Sequence, residues 1–361
     1  MADLTAAGAL RLRLGSLLLA GPPRHTTVAG VVEWFGAMQG QDLASVMWSL
    51  GLRLPGTTAA GVHEALERRE ALRTWPMRGT VHLVPCRDAR WLLALTGERA
   101  LAGVASRRAT LGLTEAMADR GVEVLAAALA GRRLTRAECV QVLADAGITA
   151  SGQIGYHMLW YASQRGVACI APNAGKEQTF ALLSDWAPDQ ATPTPDEALA
   201  TLTLRYYRSH GPATRADLGR WAGLKIAEVR RGVAAAGDAL TTVTVDGTEM
   251  IVASDALDAD VPPVLVLPGF DEYLLGYKDR SLMLDDAHKQ AIVPGNNGVF
   301  QPTVVLAGRV AATWRRTVTA KAVTVDVRPL TPLDGAGRAR VEAAFEPYAA
   351  YLGLPGRVRW P

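Results

Sequence analysis

Three times before about Asp255 the chain runs through amphipathic helical segments into a pair of short strands, and a plan repeated in that way leaves few folds open. In the first copy Val28, Val31, Val32 and Phe35 recur at helical spacing, and Leu43, Val46, Met47 and Leu50 do so again. A further helix over Val62 to Arg69 precedes two short strands, Leu72-Arg73-Thr74 and Val81-His82-Leu83-Val84, which turn near Arg78-Gly79. The second copy has helices over Glu115 to Ala130 and Gly152 to Arg165. Between them lies a helix opened by Thr135 with Glu138 at the capping-box position. In the third copy Thr214 caps a short helix, Lys225 to Ala236 forms the next, and Asp246-Gly247 is a type I′ turn between two strands. Helices closed by a hairpin are the winged-helix layout.

From Val264 the pattern changes to strands over Val264 to Leu267, Pro302 to Ala307, Val310 to Arg315 and Ala322 to Val327, with a last helix near Gly337 to Tyr351. The expectation is a mainly α fold with β, in the α+β class. It comprises three tandem winged-helix modules, 1–103, 104–190 and 191–258, and a C-terminal antiparallel sheet or barrel domain, 259–361. Trp34, Trp48, Trp160 and Trp221 fall at core positions of helices, and His63 and His157 read as ordinary helix-face residues.

The linking stretch Gly36-Ala37-Met38-Gln39-Gly40-Gln41-Asp42 breaks the helical pattern of the first copy with two carboxamides two residues apart. Asp42 has a structural task, accepting a backbone N–H as N-cap of the following helix. Gln39 and Gln41 have none.

Composition narrows the partners. With 361 residues, 49% hydrophobic and 20% charged, the chain is an ordinary globular protein of several domains. Cys86, Cys139 and Cys169 are far apart with no CxxC pair, which fits neither a disulfide framework nor a thiolate zinc site and points to a reducing cytoplasm. The apolar run Leu17 to Ala20 is too short for a signal or a membrane span. No histidine spacing suits a metal, and Gly335 to Arg340 does not follow a strand into a phosphate-binding turn, so neither metal nor cofactor is expected. The net charge of +3 admits an anionic partner. Five Arg pairs, at 68–69, 107–108, 132–133, 230–231 and 315–316, would suit a groove that tracks phosphates.

Several segments together resemble the AlkZ/YcaQ-like family of bacterial DNA glycosylases. They are Met38 to Asp42, Arg73 to Leu83, Ser209 to Thr214, Leu267 to Glu272 with Gly276 to Arg280, and Gly308-Arg309 with Trp314 to Arg316. They keep the family's order over nearly the whole chain. The resemblance implies excision of alkylated purines from double-stranded DNA, with Gln39 and Gln41 as the catalytic Gln-x-Gln pair of the AlkZ-like branch. Gly40 departs from the pattern, since the middle residue is commonly larger and apolar. Expected DNA contacts are Arg73, Arg78 and His82 on the first wing, Tyr277, Lys278 and Arg280, and Arg315 and Arg316. For the segment Tyr277 to Arg280, ion pairs from Asp271, Glu272 or Asp279 to Lys278 or Arg280 are the competing expectation.

A carboxamide is no general base near neutral pH, so such a site needs a substrate that supplies the driving force. Alkylation at purine N7 or N3 leaves the base cationic, and it departs neutral without a protein acid. The expected substrate is therefore DNA carrying a cationic adduct, simple, bulky or crosslinked, bound by a monomer whose three modules encircle the lesion. A winged-helix regulator without catalysis, dimerising on a palindrome, is the alternative. An interaction scaffold with no salt-sensitive DNA binding is a third.

Overall fold

The computed structural model describes residues 2–149, 152–256 and 258–361. Helices and strands are mixed throughout, as an α+β fold requires. Two compact units are formed, and both are discontinuous in sequence. Among the described residues no helix is long and apolar enough to cross a membrane.

One unit comprises Gly36–Gly40 and His63–Leu199. Its centre is a six-stranded sheet in the order Met38–Gln39, His82–Val84, Leu72–Thr74, Ala168–Ala174, Glu177–Leu182, Leu134–Thr135. The first hairpin turns at Arg78 and Gly79, with φ of 54° and 67°, and Thr80 N–H donates to Met77 O at 3.0 Å. That hairpin and the later one share an edge: Arg73 pairs with Ile170, so two hairpins far apart in sequence form one sheet. Pairing of this kind removes two exposed edges at once. The helices Glu115–Leu129, Arg136–Asp145 and Gln153–Gln164 bury Leu125, Leu129, Leu143 and Met158 in a core that also holds Trp75, Val81, Ile170 and Phe180. Thr135 and Glu138 form the expected capping box.

The other unit comprises the chain up to Phe35, Gln41–Val62 and Ala200–Pro361. A small sheet pairs Ala2–Leu4 in parallel with Leu240–Val245, which forms an antiparallel hairpin with Thr248–Ala253 through Asp246 and Gly247 at φ of 47° and 77°. Thr214 and Asp217 form a capping box on the helix Arg215–Ala222, and left-handed Gly223 ends it. The C-terminal sheet runs Val264–Leu267, Thr303–Leu306, Arg309–Val318, Val323–Pro329, Gly356–Arg359. It is antiparallel except for its last strand, which pairs in parallel. Buried indoles tie it down: Trp314 Nε1 donates to Leu267 O at 2.9 Å, and Trp48 Nε1 to Val266 O at 3.1 Å.

Candidate active site

The glutamine stretch starts where the helix Val28–Phe35 stops and Gly36 takes a φ of 74°, a conformation that favours glycine. Met38 and Gln39 then join the first hairpin as a short antiparallel strand, opposite Leu83 and His82. Gly40 N–H donates to Val81 O at 2.9 Å and continues the ladder. Gln39 is buried, 8% exposed, whereas Gln41 is exposed.

Gly40 is explained by this approach. A Cβ there would lie 3.1 Å from Leu83 N and 3.3 Å from His82 C, both backbone atoms that do not yield as a side chain would. The glycine therefore holds the strand close against the hairpin. Gly40→Leu should cost about 1–3 kcal/mol of stability through overpacking, read as a lower Tm with reduced excision.

After Gln41, Asp42 caps the helix Leu43–Arg53, accepting Ser45 N–H at 2.6 Å. Its carboxylate also lies 3.7 Å from the Arg316 guanidinium. The carboxylate of the motif thus has two structural partners.

The far end of the same helix is anchored inside the unit. Arg53, fully buried, donates to both carboxylate oxygens of Asp271 at 2.9 and 3.1 Å and to Leu17 O at 2.8 Å. Asp271 also accepts from the Ser49 hydroxyl at 2.7 Å and from Tyr273 N–H at 3.0 Å. Burial alone would raise the Asp271 carboxyl, but the Arg53 charge and these hydrogen bonds hold it below the usual carboxylate range. Glu272, next in sequence, contacts His210 Nε2 at 3.2 Å and accepts from Trp221 Nε1 at 2.9 Å. For Asp271 the partner is Arg53 rather than Lys278 or Arg280, and Glu272 meets His210.

The cations expected to meet DNA fall into two groups. Arg78 at the hairpin tip, Lys278 and Arg315 are exposed, and Arg316 is partly exposed beside Asp42. The Lys278 backbone is fixed, its N–H donating to Asp217 Oδ1 at 2.7 Å. The others are engaged internally. Arg73 is buried and donates to Asn173 at 3.0 Å, and burial pulls its guanidinium down to about 10. Arg280 donates to Leu274 O at 2.6 Å and lies over the Phe300 ring, and burial brings it down to about 10. His82 is fully buried with Nδ1 at 2.9 Å from Thr80 O. Tyr277 is fully buried and donates to His210 O at 2.8 Å, so it offers no atom to a phosphate in solution in this conformation.

A family model for AlkZ-like DNA glycosylases matches residues 32–351. The chain belongs to the AlkZ-like family. A curated relative from Streptomyces sahachiroi, the interstrand DNA cross-link repair glycosylase, is 30% identical over 317 residues, covering 81% of this chain and 83% of the relative. The solved structure of Streptomyces sahachiroi DNA glycosylase AlkZ superposes with a TM-score of 0.80 at 28% identity, over 99% of this chain and 100% of that one. This AlkZ-like protein is accordingly a DNA glycosylase of repair, and DNA is its substrate.

Sequence reasoning missed the anchoring residues of this AlkZ-like chain, Arg53, Ser49 and His210. The available signal was the pair Asp271-Glu272 inside an apolar and aromatic segment, since acids buried there need partners from elsewhere.

Proposed function

We propose that this AlkZ-like glycosylase hydrolyses the N-glycosidic bond of purines made cationic by alkylation at N7 or N3, bulky adducts and crosslinks included, and that Gln39 and Gln41 are its catalytic residues. The observation that carries the reading is the engagement of Asp42. Its carboxylate caps a helix and faces Arg316, so it is held in a structural role, and the family resemblance assigns the chemistry to the two amides beside it. An amide carbonyl accepts a hydrogen bond from a water and places its negative end toward positive charge growing on the sugar. The water oxygen bonds to C1′, and the electrons of the C–N bond pass to the cationic base, which leaves neutral. The water's proton is lost to solvent. The name of the Streptomyces relative supports extending the substrate to crosslinks.

The same reading takes residues 1–103, 104–190 and 191–258 as winged-helix modules and 259–361 as a C-terminal domain, acting as a monomer on duplex DNA. Arg78, Lys278, Arg315 and Arg316 are taken as the contacts to phosphate, the first three being exposed and Arg316 partly so beside the motif's Asp42.

Duplex DNA with one N7-methylguanine, incubated with the protein and then treated with alkali, should break at the lesion, while a uracil duplex stays intact. Intact methylated strands would leave only DNA binding, and equal breakage at uracil would remove the requirement for a charged base.

A further inference from the structure

Within the unit that contains the six-stranded sheet lies a cavity of about 710 Å³, inside the range of about 300–1,000 Å³ usual for small-molecule sites. Gln39 is not among its lining residues. Trp160 and Tyr156, which do line it, are neighbours on the helix Gln153–Gln164. Trp160 was expected in the core, but it is only partly buried and turns part of its surface to the cavity, and Tyr156 is 41% exposed. Two exposed guanidiniums stand beside them. Arg136 lies 5.3 Å from the Tyr156 ring centroid, and Arg107 donates to Gln153 at 2.6 Å. Among the described residues that line the cavity none is acidic.

His157 supplies an independent sign of a ligand. It is 6% exposed, it lines the cavity, and its Nε2 is buried with no hydrogen-bond partner. Burial, with Arg108 and Arg107 nearby, lowers its pKa, so the imidazole is neutral near pH 7. A neutral ring nitrogen left unsatisfied fits the edge of a heteroaromatic ring.

We propose that this cavity is a second nucleotide site, in which an unstacked nucleobase lies against Tyr156 and Trp160 while Arg107 and Arg136 hold its phosphate. Aromatic faces with adjoining guanidiniums are the chemistry that binds single bases without regard to sequence. Two sources share that chemistry, an extrahelical nucleotide of the DNA substrate and a free nucleotide. Gly79, beside the exposed hairpin-tip Arg78, also lines the cavity, which sets it next to a surface suited to the DNA backbone. The site is independent of the alkylpurine reading and requires only that the protein bind DNA.

The test uses a duplex with a single bulged 2-aminopurine and the same duplex fully paired. The wild type should bind the bulged duplex about tenfold more tightly and quench its fluorescence. Tyr156→Ala, and separately Arg107→Gln with Arg136→Gln, should each reduce that preference about five- to tenfold. Excision of N7-methylguanine from a paired duplex should be unchanged in Tyr156→Ala. Displacement of the bulged probe by 2-aminopurine nucleoside monophosphate would mean that free nucleotides also enter, and its failure at millimolar concentration would assign the site to DNA. Equal binding of both duplexes by the wild type, or an undiminished preference in both variants, overturns the proposal.

Discussion

Gln41→Ala should lower the single-turnover rate of N7-methylguanine excision by about 10²-fold or more, the usual cost of losing one preorganised electrostatic group. The protein should otherwise stay intact. Gln41 is exposed and Asp42 still caps the helix, so neither Tm nor affinity for undamaged duplex should move measurably. Gln39→Ala should lose a comparable factor. Asp42→Asn retains a side chain that caps helices well and should lose less than about tenfold. Full excision by Gln41→Ala together with inactive Asp42→Asn would move the catalytic role to the carboxylate. The pH profile provides a second check. Carboxamides do not titrate near neutrality, so the rate of the chemical step should be flat from about pH 6 to 8. A bell-shaped profile there would point to a titrating acid or base.

The parts of the fold that were legible in the sequence carry their cause locally. Asp42, Thr135 with Glu138, and Thr214 announce helix starts locally, and each forms the expected cap. Asp246-Gly247 announces its turn in two. The strand Met38–Gln39 is too short to alternate, and what makes it a strand is a hairpin reached only at Val81 to Leu83. Likewise no local pattern in Leu72–Thr74 names Ile170 as the neighbour of Arg73. Tyr277 looked like part of a charged, DNA-facing segment because Lys278, Asp279 and Arg280 follow it. It is fully buried, and its hydroxyl donates to His210 O, 67 residues earlier in the chain.

The largest expected effect on stability belongs to Asp271, and it links the segment Leu267 to Glu272 to the glutamine motif. Asp271→Asn leaves the Arg53 guanidinium buried without a counter-charge, a change that costs about 3–5 kcal/mol. Arg53→Met should cost a similar amount by stranding the carboxylate. The double variant should cost clearly less than the sum, since neither lone charge then remains. Because the folded-state carboxyl of Asp271 is held below its ordinary value near 4, its contribution is fully present above that value. It is lost as pH falls through the depressed folded value. The wild type should therefore lose more stability below about pH 4 than Asp271→Asn does, and the two curves should converge in acid. Arg53 ends the helix whose first residues follow Gln41, so loosening that end should also lower excision while binding of undamaged duplex persists. Urea unfolding at several pH values reads the stability and alkali cleavage reads the activity. A loss below about 1 kcal/mol at pH 7 in Asp271→Asn would show that the buried pair does not anchor this helix.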